Sequence, residues 1–331
     1  MMNTIASFVW CCLLLAAGTD AFVPPRTAFV VSPTTTTTSP SASLQSSVPF
    51  SSRILHRHNH HQQQQSSTRN VVLFMGWGPE PIWSDATTVS NTPACTSGRS
   101  VRITVQVSPE TAADYTIPGQ YVQVRLDDAT KPLFLAIASA PNSENAIFEF
   151  LVKKTTGNNN NEWLTSLAPD TRIQVSQVLG NGFAMQENLE GFKYDFPTQN
   201  VLLFAAGSGL APIKAALESG QLQVHAPGSS TSAGGRTARL YYGERTEADL
   251  CCVELFPQWE QAGFEVVPVL SQPSDSWQGR TGYVQTALEE DGIAIPRNSG
   301  ALLCGMKGMT EAVKELLTSA GVFEGRVLLN F

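Results

Sequence analysis

Acidic residues are missing from a long early stretch: between Phe22 and Pro79 there is no Asp or Glu. The same stretch carries Arg26, Arg53, Arg57 and Arg69, a threonine run from Thr34 to Thr38, and the histidines His56, His58, His60 and His61. A segment so poor in apolar residues cannot bury a core, and its Ser-rich, acid-poor, Arg-containing character is that of a transit peptide. Histidine is scarce elsewhere. Of five in the chain, only His225 lies outside this tract, in the Gly/Ser-rich stretch from Val224 to Gly235. One loop histidine cannot build a Ser-His-Asp triad or a His-based metal site. The later cysteines, Cys95, Cys251, Cys252 and Cys304, show no C-x-x-C and no ferredoxin-like spacing, which excludes an iron–sulfur centre. Long apolar runs are also absent. Ile5 to Ala17 is too short to span a bilayer comfortably and, with small residues up to Ala21, reads as a signal-peptide core; nothing later is long enough to cross a membrane.

Two targeting segments in series, a signal peptide over 1–21 and a disordered transit peptide over 22–75, resemble the presequence of algae whose plastids lie inside extra membranes. A phenylalanine follows the first cleavage point in such presequences, and Phe22 stands there. The expected location is therefore the plastid (chloroplast). Discounting the four arginines and Asp20 moves the formal charge from −7 to −10, which argues against nucleic acid as a partner.

What is present is strongest at Val201 to Pro212. An apolar run, VLLFAA, leads into Gly207-Ser208-Gly209 and then Leu210-Ala211-Pro212, which opens a helical pattern. A buried parallel strand, a tight turn and a helix N-terminus in that order make a candidate cradle for a bulky anion such as pyrophosphate. Three more strand-like runs follow: Arg239 to Gly243, Phe264 to Ser271 and Ala301 to Gly305, the last before an amphipathic stretch from Glu311 to Ala320. Strands alternating with helical patterns imply βαβ units, whose ligands bind beyond the carboxyl ends of the strands. Gly207, Gly243, Ser271 and Gly305 all fall at such ends. Upstream the pattern is all-β: short alternating segments at Val101 to Val107, Tyr121 to Leu126, Ala146 to Lys153 and Ile173 to Val178 suggest a small closed barrel.

A barrel, then an α/β domain, with GQYV, IASAP, GSGLAP, YYGER and CGMKGM in that order, resembles the ferredoxin–NADP reductase superfamily. KPLFLAIASAP (Lys131 to Pro141), VLSQPSDSWQGRTGYVQ (Val269 to Gln285) and the ending VLLNF are most similar to plant and algal plastid oxidoreductases of the FAD/NAD(P)-binding type. The implied fold is all-β plus α/β: an N-terminal extension over 76–97, an antiparallel β-barrel FAD-binding domain over 98–197, and a parallel-sheet, Rossmann-like NAD(P)-binding domain over 198–331. The implied cofactors are FAD and NADP or NAD, and no metal.

The resemblance assigns site residues one by one. The family's flavin motif, Arg-x-Tyr-Ser before the IAS, falls on Leu133 to Ala136, so Leu135 stands where the stacking tyrosine belongs, and Ala136, Ile137, Ala138 and Ser139 complete the segment. A second flavin segment falls on Leu151, Val152 and Lys153, and continues past a stretched turn to Asn161, Trp163 and Leu164. Gly180 to Phe183 (GNGF) resembles the electron-transfer subunit of dihydroorotate dehydrogenase, without that subunit's cysteine cluster. For the pyridine nucleotide, Gly207, Ser208, Gly209, Leu210, Ala211 and Pro212 match the pyrophosphate loop, with Gly243 and Arg245 beside it. Ser271, Arg280 and Tyr283 are the candidates for a 2′-phosphate; Gln272 replaces the family arginine and Thr281 its lysine. Cys304, Gly305 and Met306 match the segment near the nicotinamide ring, and Phe331 matches a terminal aromatic at the flavin face. Cys304 and Phe331 are thus the candidate catalytic residues. The implied activity is hydride transfer between NAD(P)H and FAD, with electrons passing to a ferredoxin-like protein or a small molecule such as a quinone. Loss of the Arg-x-Tyr-Ser motif leaves a second reading, a degenerate reductase-like module acting in protein interaction or assembly.

Overall fold

The computed structural model describes residues 80–330, apart from 142–144, 156–160, 186–195, 197–198 and 225–235. The presequence, His225, most of the asparagine run and Phe331 lie outside the described residues.

The first sheet is antiparallel. Its strands are β1 (Trp83–Pro93), β2 (Ser100–Gln106), β3 (Tyr121–Arg125), β4 (Leu133–Ala136), β5 (Ile147–Lys153) and β6 (Arg172–Ser176), in the order β4-β3-β6-β1-β2-β5. Period-two alternation puts Ile103 and Val105, Val122 and Val124, Phe148 and Phe150, and Ile173 and Val175 into one buried core. The outer strands approach each other where Ala138 N–H donates to the Glu149 carbonyl at 2.7 Å, so the sheet is a nearly closed barrel. Two short helices, α1 (Pro109–Asp114) and α2 (Glu162–Thr165), plug it. Leu164 of α2 is fully buried in the barrel core.

One boundary is corrected. Within the span assigned to an extension, Trp83–Pro93 belongs to the barrel: it forms β1, paired with β2 on one side and β6 on the other. Its inward positions are small, Ala86 and Thr88, and so carry none of the large apolar alternation that marks the other strands.

The second sheet is wholly parallel. It comprises β7 (Asn200–Ala206), β8 (Thr237–Glu244), β9 (Phe264–Leu270), β10 (Arg280–Thr281), β11 (Ser299–Cys304) and β12 (Val327–Leu329), in the order β10-β9-β8-β7-β11-β12. Helices α3 (Leu210–Glu218), α4 (Phe256–Gln261), α5 (Val284–Asp291) and α6 (Lys307–Ser319) cover it. The core splits across the faces: Leu203, Leu240 and Tyr242 pack with α3, while Phe204, Tyr241 and Leu303 pack with α5 and α6. The central strands are buried on both faces and therefore read as continuous apolar runs.

Barrel and α/β sheet are joined by buried charge. Lys214 of α3, only 4% exposed, lies 3.3 Å from Glu149 of β5 and 2.8 Å from Glu218. Arg102 of β2 continues the cluster, 3.5 Å from Glu149 and 2.6 Å from Glu254.

Candidate functional site

A cavity of about 600 Å³ opens at the carboxyl ends of β7, β8 and β9. Of the residues singled out in the sequence, Lys153, Gly207, Ser208, Gly243, Arg245, Ser271, Tyr283 and Met306 line it. Gly207 has φ +59°, and a Cβ there would meet only the Glu244 carboxylate, at 3.9 Å, so the turn after β7 presents bare backbone to the cavity. Lys153 reaches in from the end of β5, and Tyr283, 59% exposed, flanks the space at the start of α5.

Several assigned residues sit elsewhere, each for a local reason. A Cβ on Gly209 would collide with the Cys304 carbonyl oxygen and lie 2.6 Å from its carbon; this glycine lets the turn pack against β11 and does not face the cavity. Gly305 does the same against Met309 and Ala206. Leu210, Ala211 and Pro212 are buried in the first turn of α3. Cys304 is buried at the end of β11, outside the cavity wall, and burial pushes its thiol up to about 12, so at neutral pH it is a neutral packing group. Arg280 is an ion-pair residue. It binds Glu290 at 2.7 Å and also Asp291, both at the end of α5, and it does not line the cavity.

The flavin segments are likewise rearranged. Leu135 pairs with Val122 across β4 and β3, so both point to the barrel interior, where Leu135 packs against the core. The neighbouring Phe134 faces out, 63% exposed, with its ring centroid 5.9 Å from that of Tyr121. An aromatic ring is thus present one residue before the position that the motif spacing indicates. Ala136, on the same face as Phe134, packs against the α/β core, so this face runs to the seam with the second sheet. Ile137, Ala138, Leu151 and Val152 are core residues. The Ser139 hydroxyl accepts from Glu149 N–H at 3.2 Å. Asn161 is engaged within the chain: its amide donates to the Lys153 carbonyl at 2.7 Å and accepts from the Thr155 hydroxyl at 2.6 Å. Trp163 and Leu164 pack on the barrel core.

Sequence reasoning missed three polar groups. Glu244, at the end of β8, lines the cavity with only 8% exposure, its carboxylate 4.0 Å from Lys153 and accepting from the Tyr242 hydroxyl at 3.2 Å. Burial lifts its carboxyl above the usual carboxylate range. Gln285 presents a buried Oε1 with no hydrogen-bond partner to the same cavity. Asn330 is buried beside Gly119 of the barrel, and neither its Oδ1 nor its Nδ2 is paired. Glu244 has partners within the chain, whereas Gln285 Oε1 and the Asn330 amide have none; an unpaired buried polar group costs roughly 2–7 kcal/mol by transfer scales, so these two positions suit a polar ligand group.

Residues 203–315 match the oxidoreductase NAD-binding domain family. Fruit protein pKIWI502 of Actinidia deliciosa is 34% identical over 67% of this chain and 68% of its own length. The anthranilate 1,2-dioxygenase electron transfer component of Acinetobacter baylyi is 26% identical over 62% of this chain, which spans 55% of that relative. A ferredoxin NADP+ reductase from Neisseria gonorrhoeae, solved with bound FAD and NADP, superposes with a TM-score of 0.59 at 13% identity, covering 75% or more of both chains: 76% of this one and 98% of that one. Barrel, parallel sheet, cavity and these likenesses agree, and the chain belongs to the ferredoxin–NADP reductase superfamily.

Proposed function

We propose that the protein is an FAD-dependent NAD(P)H oxidoreductase of the plastid, which passes electrons to a ferredoxin-like protein or a small acceptor such as a quinone. The observation that carries this reading is the cavity at the strand ends, where the Gly207 backbone, Lys153 and Gln285, whose Oε1 is unpaired, face one space. Gly207 N–H and the Lys153 ammonium suit a pyrophosphate, Tyr283 offers a ring to stack on, and the Gln285 carbonyl oxygen accepts from an amine such as that of adenine. FAD also fits the residues present. Phe134 and Tyr121 offer aromatic surface on the outward face of the barrel, and the Asn330 amide offers a donor and an acceptor at the seam. Bound FAD would supply the hydride acceptor and the outlet for single electrons.

The chain's own residues then bind, orient and exclude water. No protein acid or base is needed for hydride transfer, which is consistent with the neutral Cys304 thiol. By holding both bound groups in place, these residues would remove the entropy cost of encounter. The degenerate-module reading has against it an open cavity into which Lys153, Arg245 and Gln285 project. Calorimetry with NADH and NADPH tests the proposal: micromolar binding that Gly207→Ala weakens about tenfold or more supports it, and no binding of either nucleotide rejects it.

A further inference from the structure

A side pocket of about 190 Å³ adjoins the nucleotide cavity, walled by Ser97, Arg99, Arg245, Thr246, Asp249 and Gln272. Arg245 and Gln272 line both spaces, so a single ligand can occupy the two together. The Arg245 guanidinium makes no ion pair or side-chain hydrogen bond among the described residues. Arg99, in the turn between β1 and β2 of the barrel, is exposed and lies 3.8 Å from Asp249. Asp249 is the pocket's one anion. Its carboxylate already accepts from Ser97 Oγ at 2.8 Å and Thr246 Oγ1 at 2.9 Å, and it anchors Arg99 without neutralising both cations. Two guanidinium forks, one carboxylate and the Gln272 amide leave a positive wall with unused donors. Planar forks of this kind match the oxygens of a phosphate group. The cation that sequence places nearest, Arg280, is held away by Glu290 and Asp291.

We infer that Arg99 and Arg245 form a phosphomonoester pocket, and that Arg99, a barrel residue, makes the enzyme prefer a dinucleotide carrying a 2′-phosphate, NADPH, over NADH. The inference rests on the cavity being the nicotinamide nucleotide site. Free phosphate shares the chemistry of the 2′-phosphate, so the test separates the two.

Calorimetry on the purified protein and on Arg99→Ala, with 2′,5′-ADP, 5′-AMP, NADP+, NAD+ and inorganic phosphate as probes, decides it. The wild type should bind 2′,5′-ADP about tenfold or more tighter than 5′-AMP, a difference on the order of 1.4 kcal/mol. Arg99→Ala should bring that ratio close to one while leaving NAD+ and 5′-AMP affinity unchanged, and Arg99→Lys should restore part of it. A thermal melt on each variant checks that the fold is intact; Arg99 is exposed, and its loss should move Tm little. Equal weakening of both fragments by Arg99→Ala, or a wild type without preference for 2′,5′-ADP, overturns the pocket. Phosphate binding that depends on Arg99 in a protein without that preference also overturns the coenzyme assignment. Failure of the wild type to bind NADP+ and NAD+ alike overturns the cavity reading itself and the pocket with it.

Discussion

Gly207 and Gly209 stand two residues apart and answer to different constraints. Gly207 lies in the left-handed region with room for a side chain, whereas Gly209 has no room because β11 backbone fills the space. Gly207→Ala should therefore fold, at a cost of about 1–2 kcal/mol for the left-handed conformation, and lose nucleotide binding at least about tenfold by calorimetry. Gly209→Ala should lower Tm sharply before any question of binding arises. Phe134 and Leu135 form a second such pair. Phe134→Ala should leave the melting temperature within a degree or two and weaken FAD retention by about 0.5–1.5 kcal/mol, the worth of one aromatic contact. Leu135→Tyr would overpack the barrel interior and destabilise it by about 1–3 kcal/mol with no gain in flavin affinity. Equilibrium dialysis against FAD with parallel melts checks both. The opposite pattern, FAD loss at Leu135 and none at Phe134, would restore the position that the motif spacing indicates.

Elements carry the charge that joins the two halves. Lys214 on α3 is the buried partner of Glu149 on β5, so Lys214→Ala should cost about 3 kcal/mol in urea denaturation, the low end for a broken buried pair because Arg102 still faces Glu149. At the end of β8, Glu244 has its folded-state pKa raised by burial. Its stabilising contribution is complete below the unfolded pKa and is lost as pH rises through the folded one. Glu244→Gln should match the wild type in acid and become the more stable of the two as pH rises toward neutrality; a Tm difference independent of pH would contradict this. Elements also show what the sequence could disclose. The parallel strands were legible because both faces are buried and the apolar runs are unbroken, as at Val201 to Ala206. β1 was not, because Ala86 and Thr88 fill its inward positions. Arg280 stood as a 2′-phosphate candidate because its carboxylate partners, Glu290 and Asp291, lie ten and eleven residues on and meet it only in the folded chain. The face on which Phe134 stands is fixed by pairing with β3, which motif spacing does not encode.

At the scale of the whole molecule, the site belongs to neither half alone: Lys153 comes from the barrel and the glycine turn from the parallel sheet, and they meet over one cavity. A pyridine nucleotide held there and a flavin held on the barrel would complete the reductase, whatever the acceptor. The central claim, that this chain holds FAD and reduces it with NAD(P)H, is tested most directly by the absorbance spectrum of the purified protein before and after anaerobic addition of NADPH or NADH. The account predicts a yellow protein whose oxidised-flavin band bleaches on addition. A colourless protein that takes up no FAD, or a flavin band unchanged by either nucleotide, would contradict it.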